Sequence, residues 1–270
     1  MGRIAAALED LRALDTLAAR LTSLARRDPR AKLIVTFAFV TTVVSFDRYC
    51  IAAILPLALY PAVLAAQAEL PTRTITRAIA LAAPFATVMA LANPLWDRAP
   101  MLVLGGANIS GGWVSFTSIV LRVALTASAV VVLVGSTGMH VLCAALARLG
   151  APRVFTVQLL LLHRYLFVLG DEAVRLRTAY GLRAPSRRAP PLAIFASLAG
   201  KLLLRAFDRA HRVHQAMLAR GFDGELRRLS PWRWRHADTA FVACWGAYFA
   251  AVRAVDVPLL VGTAATGLGR

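Results

Sequence analysis

The chain has 270 residues, 59% of them hydrophobic, with a mean hydropathy of +0.63 and a formal net charge of +17. Its apolar residues are gathered in uncharged blocks that approach the roughly 20 residues needed to span a hydrocarbon core, which excludes an ordinary water-soluble domain. The charge is uneven: residues 171–236 carry fourteen Lys/Arg against five Asp/Glu, while the longer stretch 33–170 carries only eight Lys/Arg.

Basic residues collect on the cytoplasmic side of a bilayer, so the N-terminal segment 1–32 and the block 171–236 are both placed inside. Residues 3–27 set Ile4, Leu8, Leu11, Leu14, Leu17, Leu21 and Leu24 at helical spacing among Arg and Asp, the pattern of an interfacial amphipathic helix ended by Asp28-Pro29. The segment carries acids among its bases and lacks the apolar core and cleavage site of a removable signal peptide. Leu33 to Phe46 and Tyr49 to Ala68 follow as apolar runs divided by Asp47-Arg48, read as an outside turn between two spans.

Ala78 to Trp96 makes a third span, and Asp97 to Gly112 a loop containing Gly105, Gly106, Gly111 and Gly112. Val114 to Val134 makes a fourth, with Arg122 inside it. A charge at that depth is costly, so Arg122 must face the bundle interior or reach along the helix. Gly135 to Gly138 ends that span, and Gly150-Ala151-Pro152 breaks the chain again. Val154 to Leu169 leads into the charged block, and Ala240 to Leu268, interrupted by Arg253 and Asp256, is read as one last span. These elements predict an all-α fold, a polytopic membrane helix bundle of about five spanning helices. The division is 1–32 cytoplasmic and amphipathic, 33–170 transmembrane, 171–236 cytoplasmic and 237–270 transmembrane.

The charged block repeats itself at an offset of 37 residues: Asp171, Ala173, Arg175, Ala179 and Arg183 match Asp208, Ala210, Arg212, Ala216 and Arg220. Each copy reads Arg, Ala four residues on, and Arg four further, which lie on one helical stripe. A small residue between two arginines lets a partner surface come close, with the guanidinium groups reaching its carboxylates. In the second copy Arg205, Arg209, Arg212 and Arg220 share a narrow arc opposite Leu203, Ala206, Phe207, Ala210, Met217 and Leu218. This is an amphipathic helix, and Gly221 is placed to stop it. A cationic helix of this kind also suits anionic lipid.

Catalytic signals are missing. There is no Walker A, GxSxG or HExxH pattern, and Asp171 and Glu172 are neighbours that point to different sides of a helix. Cys50, Cys143 and Cys244 lie in apolar segments without metal-ligand spacing. His163, His211 and His214 invite a metal site, but the latter two sit in the amphipathic helix without a nearby third ligand. No metal is expected on this chain.

The same residues resemble the T component of energy-coupling factor (ECF) transporters, the membrane subunit of ATP-driven micronutrient importers. Glu172-Ala173-Val174-Arg175 with Ala179 and Arg183 looks like the family's first coupling-helix motif. Arg209-Ala210-His211-Arg212-Val213, Ala216-Met217 and Ala219-Arg220-Gly221-Phe222-Asp223-Gly224 look like its second. The family's Ala-Arg-Gly triplet is intact at Ala219-Arg220-Gly221 and has become Leu182-Arg183-Ala184 in the first copy, which leaves the end of that helix open. Asp28-Pro29-Arg30-Ala31-Lys32-Leu33, Asn93-Pro94-Leu95 and His163-Arg164-Tyr165 extend the resemblance over about residues 28 to 252. Arg164-Tyr165-Leu166, the run from Ala216 to Phe222 and the basic tail Leu226-Arg227-Arg228-Leu229 look most like the CbiQ type, serving cobalt or nickel.

The resemblance implies a non-catalytic subunit in the cell inner membrane, multi-pass with a cytoplasmic N-terminus. Its long amphipathic coupling helices would enter grooves on two ATP-binding cassette ATPase subunits. Its partners would be those ATPases, a substrate-binding S component, which would hold the metal, and membrane lipid, with no nucleic acid. No cofactor is expected in the chain itself, ATP being bound by the partners. The docking residues it implies are Arg175, Ala179 and Arg183 in the first helix and Arg212, Ala216, Ala219, Arg220 and Gly221 in the second. Alternatives from other classes are a T component for a vitamin, a permease with its own pathway through Arg122, and a nucleic-acid or lipid binder using the positive charge.

Overall fold

The computed structural model describes residues 2–20, 22–47, 51–96, 100–104, 107–184, 191–224 and 234–254. Several predicted features lie outside these residues: Leu21, Arg48, Tyr49, Cys50, Asp97, Gly105, Gly106, the Leu226–Leu229 tail and the last apolar region beyond Ala254. The chain folds into two compact units, Met1–Thr16 with Met139–Pro231, and Leu17–Gly138 with Trp232–Arg270.

The second unit is a helical bundle. Its first helix, α2 (Pro29–Ser45), starts where the sequence has a cap and a proline together. The Asp28 carboxylate accepts a hydrogen bond from the Arg30 amide at 2.9 Å, and Pro29 occupies the first turn, where its missing N–H costs nothing. Ala31, Val35, Phe39 and Val43, four residues apart, are buried along one face. The next apolar run is one interrupted helix, Ile51–Gln67. A 3₁₀ turn at Leu55–Ala58 holds Pro56 between α3 (Ile51–Ile54) and α4 (Leu59–Gln67), because proline cannot donate the α-helical hydrogen bond.

Two long helices follow, α5 (Thr72–Trp96) and α6 (Gly111–Thr137), packed along each other and joined at one end by Asn93 donating to Ser115 at 2.9 Å. The segment between them, read from its glycines as a loop, contains a two-stranded antiparallel ribbon. It pairs β1 (Pro100–Leu104) with β2 (Ala107–Ser110), with Leu102 opposite Ile109. The apolar and β-branched residues flanking Gly105-Gly106 outweigh the loop signal. The last described helix, α10 (His236–Ala254), brings Trp245 and Phe249 against Phe39 and Tyr60; the Phe39–Tyr60 rings stack at 4.6 Å and Tyr60–Trp245 meet edge-on at 4.9 Å.

Polar ties at the helix ends hold this bundle in register. Asp238 accepts from the backbone amides of Asp28 and Arg235, each at 3.0 Å, and the Lys32 ammonium donates to the Ser136 carbonyl at 3.2 Å. Arg122 donates to the carbonyls of Asp47 at 2.6 Å and Val44 at 3.4 Å, groups at the C-terminal end of α2 that no helical amide can reach. Gly138, at φ +77°, closes α6, and a Cβ there would stand 3.3 Å from that of Ala18.

The first unit contains α1 (Gly2–Ala18) as far as Thr16, α7 (Met139–Arg148), α8 (Arg153–Arg183) and α9 (Leu192–Ala219). The N-terminal amphipathic helix ends at Ala18, not at residue 27: Leu24 turns into the core of the bundle, where it is 1% exposed, and burying it there outweighs continuing the helix. Gly150, at φ +97°, ends α7, with Ala151 and Gly150 donating back to Leu146 and Ala147. The apolar run 154–169 and the start of the charged block form one unbroken helix of 31 residues, about 46 Å long at 1.5 Å per residue. That exceeds a hydrocarbon core of roughly 30 Å.

Thr72–Pro94, Gly111–Thr137 and Arg153–Arg183 are, among the described residues, the helices long and apolar enough to cross a membrane. The architecture is that of a helical membrane bundle, all-α but for the short ribbon.

Candidate docking surface

Both copies of the repeated pattern are helical where the spacing predicts. Arg175, Ala179 and Arg183 occupy the last turns of α8, and Arg212 and Ala216 those of α9, with Arg220 as its C-cap residue. Successive steps of four residues drift by roughly 40°, so each Arg-Ala-Arg set stays on one stripe. These residues, with Ala219 and Gly221, are exposed. Every residue of α9 has at least part of its surface accessible, and Leu203, Phe207 and Leu218 on its apolar side are exposed by 57%, 65% and 54%. A bare apolar face opposite a cationic one is a surface shaped for contact with something outside this chain.

The two helices end by different chemistry. Gly221 takes φ +75°, its amide donates to the Leu218 carbonyl at 2.9 Å, and the Phe222 amide donates to Met217 at 3.0 Å. That reciprocal pair caps the last carbonyls of α9. No atom lies within 4 Å of where a Gly221 Cβ would be, so the glycine serves conformation and not packing. In the first copy Ala184 leaves the helix at φ −134°, with its amide on Tyr180 at 3.0 Å. The departed glycine is not missed there, since the chain turns out with an ordinary negative φ, and α8 still stops at Arg183.

Charge pairing separates the stripe arginines from their neighbours. Arg12 donates to both carboxylate oxygens of Asp171 at 2.8 Å, and Glu172 forms an ion pair with Arg205 of α9. Asp171 is thereby taken from Arg175, its natural partner four residues on. Among the described residues, Arg175, Arg183, Arg212 and Arg220 make no ion pair or side-chain hydrogen bond. Arg212 lines a groove with Glu172 and Asp208, while Arg175, Arg183 and Arg220 are left to seek an acceptor.

The histidines do not converge. His211 and His214 are exposed on α9, and His163 contacts Asp15 at 3.3 Å and stands edge-on to His140 at 5.6 Å. No group of three or more His, Cys, Asp or Glu suited to a metal ion occurs among the described residues. Arg122, the intramembrane charge on which a permease pathway would depend, is committed to carbonyls of its own bundle. Sequence reasoning missed the Glu172–Arg205 and Arg12–Asp171 pairs, which join residues 33 and 159 positions apart; no local pattern marks such partners.

Comparison with known proteins gives this arrangement a family. The model of the CbiQ cobalt transport proteins matches residues 21–232, which takes in α2 to α9, both repeated helices included. The chain is 32% identical over 139 residues to the cobalt transport protein CbiQ of Salmonella typhimurium, covering 48% of this chain and 62% of that one. It is 36% identical over 90 residues to the protein of the same name from Rhodobacter capsulatus, covering 33% of this chain and 37% of the other. With most of its length matched by the family model, the chain belongs to the CbiQ family of cobalt transport proteins.

Proposed function

We propose that this chain is the transmembrane coupling subunit of an ATP-driven importer of the ECF type, carrying cobalt or nickel. The observation behind the proposal is the matched pair of exposed, unpaired Arg-Ala-Arg stripes at the ends of α8 and α9. Each stripe suits one acidic groove, and two stripes suit two equivalent ATPase subunits. Arg183 and Arg220 anchor, Arg175 and Arg212 add a second contact, and Ala179 and Ala216 are the points of closest approach. Ala219 and Gly221 finish the second helix so that Arg220 stands at its tip.

ATP binding closes the two ATPases, the docked helices move with them, and the bundle passes the motion to a substrate-binding membrane partner. The chain hydrolyses nothing and works in the inner membrane with its N-terminus in the cytoplasm. On this reading the charged end of α8 and the whole of α9 lie on that same side.

The test is co-purification of two ATP-binding subunits with the chain, together with metal uptake, for the wild type and for Arg183→Ala with Arg220→Ala. Removing an arginine from a desolvated charge pair costs about 2 to 5 kcal/mol, so the double variant is expected to lose both. Retention of ATPase capture and uptake in the double variant sinks the proposal.

A further inference from the structure

The N-terminal helix α1 precedes the family-matched region 21–232, and docking as described above has no use for it. It nevertheless lies against α8 immediately beside the first repeat. Leu8 is 6% exposed, and a Cβ built on Gly170 would stand 2.6 Å from both of its methyl carbons, so the missing side chain of Gly170 is what admits the leucine. One turn further along α1, Arg12 grips Asp171 through both carboxylate oxygens at 2.8 Å and lies over the Phe167 ring at 5.7 Å. Asp15 then meets His163 at 3.3 Å. The contacts advance by four and three residues along α1 while they retreat along α8 from 171 to 163. Helical spacing on both partners gives successive side-chain contacts along the two helices and not a single chance touch.

α9 packs on α8 as well, through Arg205 and Glu172 and along a groove lined by Val168, Leu169, Asp208 and Arg212. We infer that α1 is a brace that positions the first docking arm, with Leu8, Arg12 and Asp15 as positioning residues. The seam holds α8 where its apolar half meets its charged half. The consequence for ATPase coupling rests on the function proposed above; the brace itself does not.

Amide hydrogen exchange on the full chain in lipid nanodiscs tests it, read on peptides covering 163–175 in α8 and 205–219 in α9. Leu8→Asp should speed exchange in the α8 peptide roughly tenfold, since a buried leucine is replaced by a charge, and leave α9 unchanged. Arg12→Asp should speed the α8 peptide by a smaller factor, and adding Asp171→Arg to it should restore protection. Because the exchanged pair reports on the seam through charge alone, it decides the matter even where Leu8→Asp disturbs folding. Unchanged α8 exchange in Arg12→Asp, or no recovery in the exchanged pair, overturns the brace. ATPase capture measured on the same variants separates the two ideas. Loss of α8 protection with capture intact retains the brace and removes its link to docking.

Discussion

Gly221 shows how one residue can place a charge. Its positive φ lets α9 stop with both carbonyl caps made, which leaves Arg220 at the tip of the helix. Gly221→Ala forces a Cβ into the left-handed region at a cost of about 1 kcal/mol. It is expected to raise amide exchange in the last turn of α9 and weaken ATPase capture. Ala184→Gly in the first copy should leave capture unchanged, because Ala184 has an ordinary negative φ. Arg122 illustrates the opposite case, a conspicuous intramembrane charge whose contacts are structural. Arg122→Met strands the carbonyls of Val44 and Asp47, so a loss of about 1 to 3 kcal/mol is expected. The check is the thermal midpoint of the purified chain in nanodiscs; a transport defect with an unchanged midpoint would argue for a pathway role instead.

α8 and α9 carry the same stripe in different settings. Their mutual ion pair is half in solvent, Arg205 at 59% and Glu172 at 22% exposure, and pairs of that kind stabilise by less than about 1 kcal/mol. Glu172→Gln is therefore expected to leave stability nearly unchanged by thermal unfolding and to spare ATPase capture. The apolar side of α9 is another matter. Phe207 is 65% exposed among the described residues, so Phe207→Glu should weaken association with the proposed membrane partner while ATPase capture, assigned above to the opposite face, survives. Pull-downs of each partner in turn separate the two faces.

For the whole molecule, the proposed transmission of motion depends on a bundle tied at its helix ends. The bundle ties are specific: Asp238→Ala would leave the amides of Asp28 and Arg235 without their acceptor and should lower stability by about 1 to 3 kcal/mol. Docking through unpaired arginines should be sensitive to salt. Raising ionic strength from about 0.05 M to 0.5 M shortens the range of the attraction more than threefold, and ATPase capture is expected to fall along with it. Capture indifferent to salt would point to an apolar contact in place of the charged stripes.

How far the amino-acid order could be read follows from the distance over which each cause acts. The helical period of the repeat and the glycine stops at Gly150 and Gly221 depend on residues a few positions apart and were legible, whereas Asp28-Pro29, expected to end the N-terminal helix, instead starts α2. The family could be recognised for the same reason, since its motifs are local strings. The premature end of α1 at Ala18, the ribbon at 100–110 and the role of Arg122 were not. Each depends on which other segment arrives alongside: Leu24 finds a core, Arg122 finds the end of α2, and Asp171 finds Arg12 across 159 positions. Whether the stripe arginines were free could be known only in the folded chain, because a carboxylate four residues away is a partner until a distant arginine claims it.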